Sequence, residues 1–528
     1  MKISRRQFLL ATATTAAFFS LGAVRQHNKN ALPAANARLG INLAGIADWG
    51  TEFPFVDLFK QSRAWFVEGD DVKALKLDAS GWLRQLPIGK VASTIISSLD
   101  NNHFPSGDYV ILYDGEGEIN VPFHAVKSNN PGKMQLYVDG KKGLFRLDVI
   151  KTNPQNYIKN IRVIPKQFED TYLQNPWQPH FLKRWQGVAS IRFMDFMATN
   201  NATQSNWQGR PKPTDASYAS NGVPLELMID LANRLNAEPW FCMPHMANDD
   251  YVKQFASMVK TSLKPNLRAW VEYSNEVWNG GFGQNAYAGK QGQRLKLADE
   301  PWQAACKYNA YRSLQIFNIW QQVFSQSKDD KHKNFVRVLA SQAANTGVAE
   351  QVLSFEQAGK DAANQADVLA IAPYIHFSVP PNADDGITDK IVANWSLEKL
   401  FEHLNKKSLA ESTQWIINHK NIANQYGLKL VAYEAGQHLV GVAGAESNEQ
   451  MTSLFLKANA DSRMGQLYTQ HLSAWVNNGG DLLCHFNSVG TWSKWGSWGL
   501  LQYYDDKPSP KLKAVIDWAN ARGQKMRL

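Results

Sequence analysis

Two glutamates stand where they could share one cleft. Glu276 ends the run Arg268-Ala-Trp-Val-Glu-Tyr-Ser-Asn-Glu276, and Glu434 ends the run Lys429-Leu-Val-Ala-Tyr-Glu434. Both runs are short, apolar and rich in strand-forming residues, so each reads as a β-strand with a carboxylate at its end. Such a pair can cleave a glycosidic bond. One carboxyl, protonated, gives the leaving oxygen its proton; the other, ionised, attacks the sugar carbon between them. A gap of about 5–5.5 Å suits retention of configuration and a wider gap suits inversion. Rival chemistries lack their residues. There is no H-E-x-x-H or C-x-x-C, and Asp249-Asp250 is too short for a calcium loop, so no metal is expected. No G-x-S-x-G is present for a serine esterase, and the expected chemistry needs no cofactor.

The elements that must position these acids alternate in type. Strand-like runs at 188–195, 239–245, 268–276, 335–341, 367–374, 429–434 and 481–486 are separated by helical spacing at 223–236, 251–263, 302–324, 397–425 and 461–477, and 511–521 closes the chain. An eighth strand is expected at 39–46, followed by a helix at 55–65. Eight β/α units predict an α/β fold, the closed (β/α)8 barrel, with chemistry at the carboxyl ends of the strands. The open doubly wound alternative wants a glycine-rich phosphate loop after the first strand, and 39–50 holds none. Between the first and second units, 68–167 changes pattern. Runs at 108–113, 133–138, 143–150 and 158–164, separated by Asp114-Gly115 and Asp139-Gly140, predict an inserted antiparallel, sandwich-like domain. The barrel is then expected over 38–67 and 168–528. The insertion could bind glycan or serve only as a structural addition.

Composition narrows the class. The chain has 528 residues, 44% hydrophobic and 20% charged, which excludes a disordered or fibrous protein. Its net charge of +9 is concentrated at the front: the first 37 residues carry Lys2, Arg5, Arg6, Arg25 and Lys29 and no acid, leaving 51 basic against 47 acidic residues. No basic stripe remains, so nucleic acid is a poor partner. Ser4-Arg5-Arg6-Gln7-Phe8-Leu9-Leu10 resembles a twin-arginine export signal; an apolar stretch to Val24 and small residues at Ala35-Asn36-Ala37 complete a leader over 1–37. These residues predict an exported protein, periplasmic or secreted, with no membrane span in its mature chain and the twin-arginine machinery as a partner. Cys242, Cys306 and Cys484 are an odd number and read as small buried hydrophobes, not a disulfide framework. The 18 Trp are many, and flat aromatic faces suit sugars as well as cores.

Glu272-Tyr-Ser-Asn-Glu-Val-Trp-Asn279 resembles the strand-four signature of the clan A glycoside hydrolases, the retaining glycosidases whose acids lie on barrel strands four and seven. The 158 residues from Glu276 to Glu434 leave room for the intervening units. The resemblance covers roughly 39–65 and 180–520, not the insertion. It implies Glu276 as general acid/base, Glu434 as nucleophile and Asn275 as a ligand of the sugar 2-hydroxyl. Glu276 would then need a raised pKa and Glu434 a normal or lowered one. Less specifically, it implies that Arg192 keeps the nucleophile ionised, that His245 contacts sugar, that Tyr374 touches the nucleophile, and that Trp492 is a sugar platform, with Trp495 and Trp498 behind it. From its position alone, Arg192 could equally pair with Asp195 or Glu272. Asp48, Asp195, His376, His438 and His485 also lie near strand ends, unranked. The expected function is an exported retaining glycoside hydrolase, endo-acting on a β-linked polysaccharide. Two alternatives stay open: a glycan- or cellulose-binding protein on a glycosidase barrel (sequences resembling this one sometimes carry a cellulose-binding label), and a glycosidase of the cell's own exopolysaccharide. The loops at 277–300, 375–396 and 435–458 would choose the substrate.

Overall fold

The computed structural model describes residues 37–68, 75–99, 102–325 and 335–527. Apart from Ala37, the expected leader and its export signal lie outside the described residues. Eight parallel strands close a barrel: β1 (Leu39–Asn42), β2 (Ser190–Arg192), β3 (Glu238–Met243), β4 (Ala269–Tyr273), β5 (Phe335–Ala340), β6 (Val368–Ile371), β7 (Lys429–Ala432) and β8 (Gly480–His485). Strands covered on both faces carry near-continuous apolar sequence, as Leu430-Val431-Ala432 does, all three fully buried. Closure joins β1 to both neighbours, Leu39 lying opposite Leu483 and Gly40 opposite Ser190. A Cβ on Gly40 would fall 2.5 Å from Cys484 Sγ, so only glycine lets β1 seat there. The tail clasps the same strand: Gln524 Oε1 accepts from Leu39 N at 2.7 Å, and Gln524 Nε2 donates to the carbonyls of Leu39 and Gly187.

Helices pack outside, among them Leu225–Leu235, Asp249–Ser262, Pro301–Ser325, Ser462–Asn477 and Pro510–Asn520. Three of them have a local reason to begin or end. Asn248 accepts from Tyr251 N at the start of the second, Ser509 accepts from Leu512 N before Pro510, and left-handed Asn236 ends the first. All three cysteines are free and buried. No helix among the described residues is long and apolar enough to cross a membrane.

The helix expected at 55–65 does not form. That segment holds only a 3-10 turn at Leu58–Gln61, capped by Asp57. Of its apolar residues, Phe55 joins the barrel core, while Leu58, Phe59 and Trp65 are buried in a second core, together with Leu136, Phe145 and Leu147 of the β-rich region. The helix that follows β1 is Pro179–Trp185. The β-rich region therefore sits inside the first strand-to-helix connection rather than after a completed unit. It contains a four-stranded antiparallel sheet, in the order Lys159–Pro165, Gly107–Asp114, Lys133–Val138, Ala125–Asn130, and a three-stranded one, in the order Ala92–Ser97, Phe145–Thr152, Gly117–Asn120. Connections of this kind leave the barrel at the carboxyl ends of its strands, the end where sites are built. Two further strands, Ile375–Val379 and Gln437–Gly441, pair in parallel just beyond β6 and β7 and set His376 opposite His438.

Candidate active site

The carboxyl ends of β2, β4 and β7 converge on one guanidinium. Arg192 closes β2 and is fully buried. Its Nε and Nη2 donate to Glu272 at 3.0–3.2 Å, its Nη1 donates to Glu434 Oε1 at 2.9 Å and to Asn42 Oδ1 at 3.2 Å, and its Nη2 reaches Asn275 Oδ1 at 2.8 Å. Of the partners open to Arg192, Glu272 and the expected nucleophile Glu434 both take it, and Asp195 accepts no hydrogen bond from it. Its planar fork and the rings of Tyr433 (4.9 Å) and Trp240 (5.6 Å) fix its orientation. Glu272 also accepts from Trp240 Nε1 at 2.9 Å. Burial pushes its carboxyl above the usual range, against the pull of Arg192.

Glu434 lies just past β7 and is 7% exposed. Besides Arg192, it accepts from the Tyr374 hydroxyl at 2.9 Å on Oε2. Glu276 lies beyond β4 on a bent backbone: Ser274 and Glu276 both hold left-handed φ, +57° and +41°. Non-glycine residues take that conformation at a cost of about 1–3 kcal/mol, which gathers at functional sites. Glu276 accepts from the Tyr433 hydroxyl at 2.8 Å and from Asn279 Nδ2 at 2.9 Å. Tyr433 thus ties the two acids together, adjoining Glu434 in sequence and binding Glu276 through its hydroxyl.

The electrostatics depart from the expectation that Glu434 would have a normal or lowered pKa. Burial, joined by the nearby charge of Glu276, pushes Glu434 up to about 8, while Arg192 and the Tyr374 hydroxyl pull it down. The cation touches Glu434 and not Glu276, which favours the ionised form on Glu434.

The remaining sequence candidates fall into two sets. Asn275 and Tyr374 join the network directly. Asn275 also donates to Asn200 Oδ1 at 3.1 Å, and Gln284 binds the same oxygen at 2.7 Å. His245 stands in a neighbouring pocket of about 540 Å³ lined with Tyr287, Tyr308, Asp249 and Arg312. Burial lowers its ring to about 4, so it is neutral near pH 7, and it meets Tyr287 edge-on at 5.2 Å. Trp492 is half-buried; it donates to Gly499 O at 3.0 Å and covers the buried Lys511 ammonium at 4.3 Å, outside the carboxylate network. Trp498 reaches closer: its indole N–H donates to His438 Nδ1 at 3.2 Å, and His438 stacks on His376 and lies 5.8 Å from Tyr374. Because an indole N–H can only donate, His438 carries its own proton on Nε2. Its position near a strand end was the only sequence signal for His438, and that signal did not rank it. Asp195, equally unranked, also acts on the site, since its charge raises Glu434 further.

Comparison with known proteins adds resemblance only. No protein family matches the sequence, and no curated protein does. Among solved structures the chain is similar to a 4-O-α-L-rhamnosyl-β-D-glucuronidase from Fusarium oxysporum (14% identity, 67% of each chain covered, TM-score 0.39). It is similar to an endo-1,4-β-D-xylanase from Clostridium thermocellum (11% identity, 91% of this chain and all of that one, TM-score 0.35). It is also similar to an endo-β-1,4-mannanase from Thermotoga petrophila (13% identity, 66% of this chain and 74% of that one, TM-score 0.34).

Proposed function

We propose that the chain is an exported glycoside hydrolase that cleaves a β-linked polysaccharide with retention of configuration. The observation that carries this reading is the pairing of Glu434 with Arg192 and Tyr374 while Glu276 is bound by Tyr433 and Asn279. Glu276 gives its proton to the glycosidic oxygen as that bond breaks. Glu434 Oε attacks the anomeric carbon, forming a glycosyl ester and releasing the leaving sugar as an alcohol. Glu276, now ionised, takes a proton from water; the hydroxyl oxygen bonds to the anomeric carbon, and the ester breaks to free Glu434. Arg192 pulls Glu434 toward ionisation against its burial, and the attack uses the ionised form. Asn275, fixed by Arg192 and Asn200, is placed to meet the sugar 2-hydroxyl. His245, Trp492 and Trp498 serve as outlying sugar contacts, and the many aromatics favour a chain-binding cleft and endo action. The basic leader directs the protein to the twin-arginine machinery and on to the periplasm or medium.

The test is covalent. A 2-deoxy-2-fluoro-β-glycoside with a 2,4-dinitrophenolate leaving group is expected to label the protein once, on Glu434, as read by peptide mass. Glu434→Ala is expected to lower release of reducing ends from β-linked polysaccharides on the order of 10⁴-fold, and Glu276→Ala about 10³-fold. A label elsewhere, or full activity in either variant, sinks the reading.

A further inference from the structure

Asp195 follows Arg192 by three residues, where the chain leaves β2 at the same end of the barrel as Glu434. Its charge acts on both Arg192 and Glu434. The neighbouring carboxylates are amply bonded. Glu272 takes Arg192 and Trp240, Glu238 takes Arg38, Arg268 and Trp270, and Glu52 takes Trp185 and Ser488. Among the described residues, none donates a side-chain or backbone hydrogen bond to the Asp195 carboxylate. Gly45, beyond β1, passes beside Asp195, where an added Cβ would stand in ordinary contact, 3.6 Å from Asp195 Cβ.

A half-buried carboxylate without donors is unfavourable, and folding alone gives no reason to keep one. Asn at this place would carry no charge and need no proton. Burial raises Asp195 to about 6, although Arg192 opposes it. A folded-state pKa above the unfolded value means that the group favours folding below about pH 4 and that this contribution is lost as pH rises through about 6. Near neutrality Asp195 therefore stands as an ionised acceptor at a cost to stability, beside the acid that the proposed reaction uses as nucleophile. Polar groups retained against stability belong with ligands.

We propose that Asp195 is a substrate-contacting carboxylate that accepts hydrogen bonds from hydroxyl or ammonium donors of the sugar ring seated against Glu434. The role rests on the glycosidase reading for its substrate class. It adds a specificity element on the side of β1 and β2, opposite the aromatic and histidine wall of Tyr374, His438 and Trp498. A sugar that presents no donor on that side leaves the carboxylate unpaired and is refused. One that presents an ammonium gains an ion pair as well as hydrogen bonds.

The experiment compares the full chain with its Asp195→Asn variant. Calorimetry reads binding of four hexasaccharides, β-1,4-linked glucose, xylose, mannose and glucosamine, and thermal melts are taken below about pH 4 and above about pH 7. The variant is expected to bind the preferred hexamer about tenfold to a hundredfold more weakly, the loss of hydrogen bonds to a charged acceptor. It is also expected to melt higher than the parent above pH 7, with no gain below pH 4. A preference for glucosamine assigns the donor as ammonium, and a preference for a neutral hexamer assigns it as hydroxyl; either agrees with the role if the variant loses affinity. Unchanged affinity, a lowered melting temperature, or a parent that binds none of the four overturns it. Fluoroglycoside labelling separates the two readings. If Glu434 is not labelled yet Asp195→Asn still weakens binding, the retaining reaction falls and Asp195 keeps its role.

Discussion

In the β-rich region, Tyr109, Ile111, Leu136, Phe145, Leu147 and Val149 are buried against one another as a dry apolar core. At the carboxyl ends of β2, β4 and β7 the barrel instead buries Arg192, Glu272, Asn275 and Glu434. The first arrangement follows from the hydrophobic effect alone: apolar area leaves water and every backbone group joins a ladder. The second gains nothing from charge burial as such, because desolvating ions costs about as much as pairing them returns. The contrast locates function. One core holds a fold together, and the other holds charges where a substrate would meet them.

Three substitutions press on that contrast. The largest effect is expected from Arg192→Met. It strands Glu272 and Glu434 in a buried site without their cation, costing about 3–5 kcal/mol of stability, and abolishes turnover. Denaturant unfolding with a parallel activity assay reads both losses. Next is Leu147→Ala in the β-rich core. It is expected to cost about 2–5 kcal/mol by leaving a cavity, yet to leave kcat per folded molecule within about twofold of the parent. A large fall in kcat there would mean that the β-rich region shapes the cleft directly. The smallest is Tyr374→Phe, which removes a donor that lowers Glu434. In the parent, kcat/KM is expected to rise with pH through about 8 as Glu434 ionises, and in the variant that limb moves to higher pH. A limb that stays in place would show that some other group sets it.

Much of the barrel was legible because parallel strands declare themselves. Phe335–Ala340 forms within the run at 335–341, and so does Lys429–Ala432 within the run at 429–434, since buried strands repeat one short apolar pattern. Phe55 to Trp65 forms no helix for a physical reason: Leu58, Phe59 and Trp65 face a sheet core rather than a helix partner, and apolar spacing over so few residues cannot tell the two apart. Within the site, Glu276, Glu434, Asn275, Arg192 and Tyr374 were visible at strand ends, and the structure joins them. Asp195 and His438 were not distinguishable, because what marks them, a missing donor and a fixed tautomer, depends on residues far away in the chain. The resemblance puts Trp492 ahead of Trp498, and nothing local shows that the buried Lys511 Nζ engages the first while His438 engages the second.

The seating of β1 between β2 and β8, with Gln524 fastened to Leu39, bears on how the protein is made. Leu39 and Leu483 are neighbours in space but 444 residues apart in synthesis. The β-rich region pairs its strands among residues 92 to 165 and can assemble while the ribosome is still working. The barrel cannot close its ring until residue 485 has emerged, nor lock it until residue 524 has. The edge of its first strand that faces β8 waits unpaired for nearly the whole length of translation, although its other partner, β2, is complete by residue 192; that is a long exposure that a chaperone is well suited to cover.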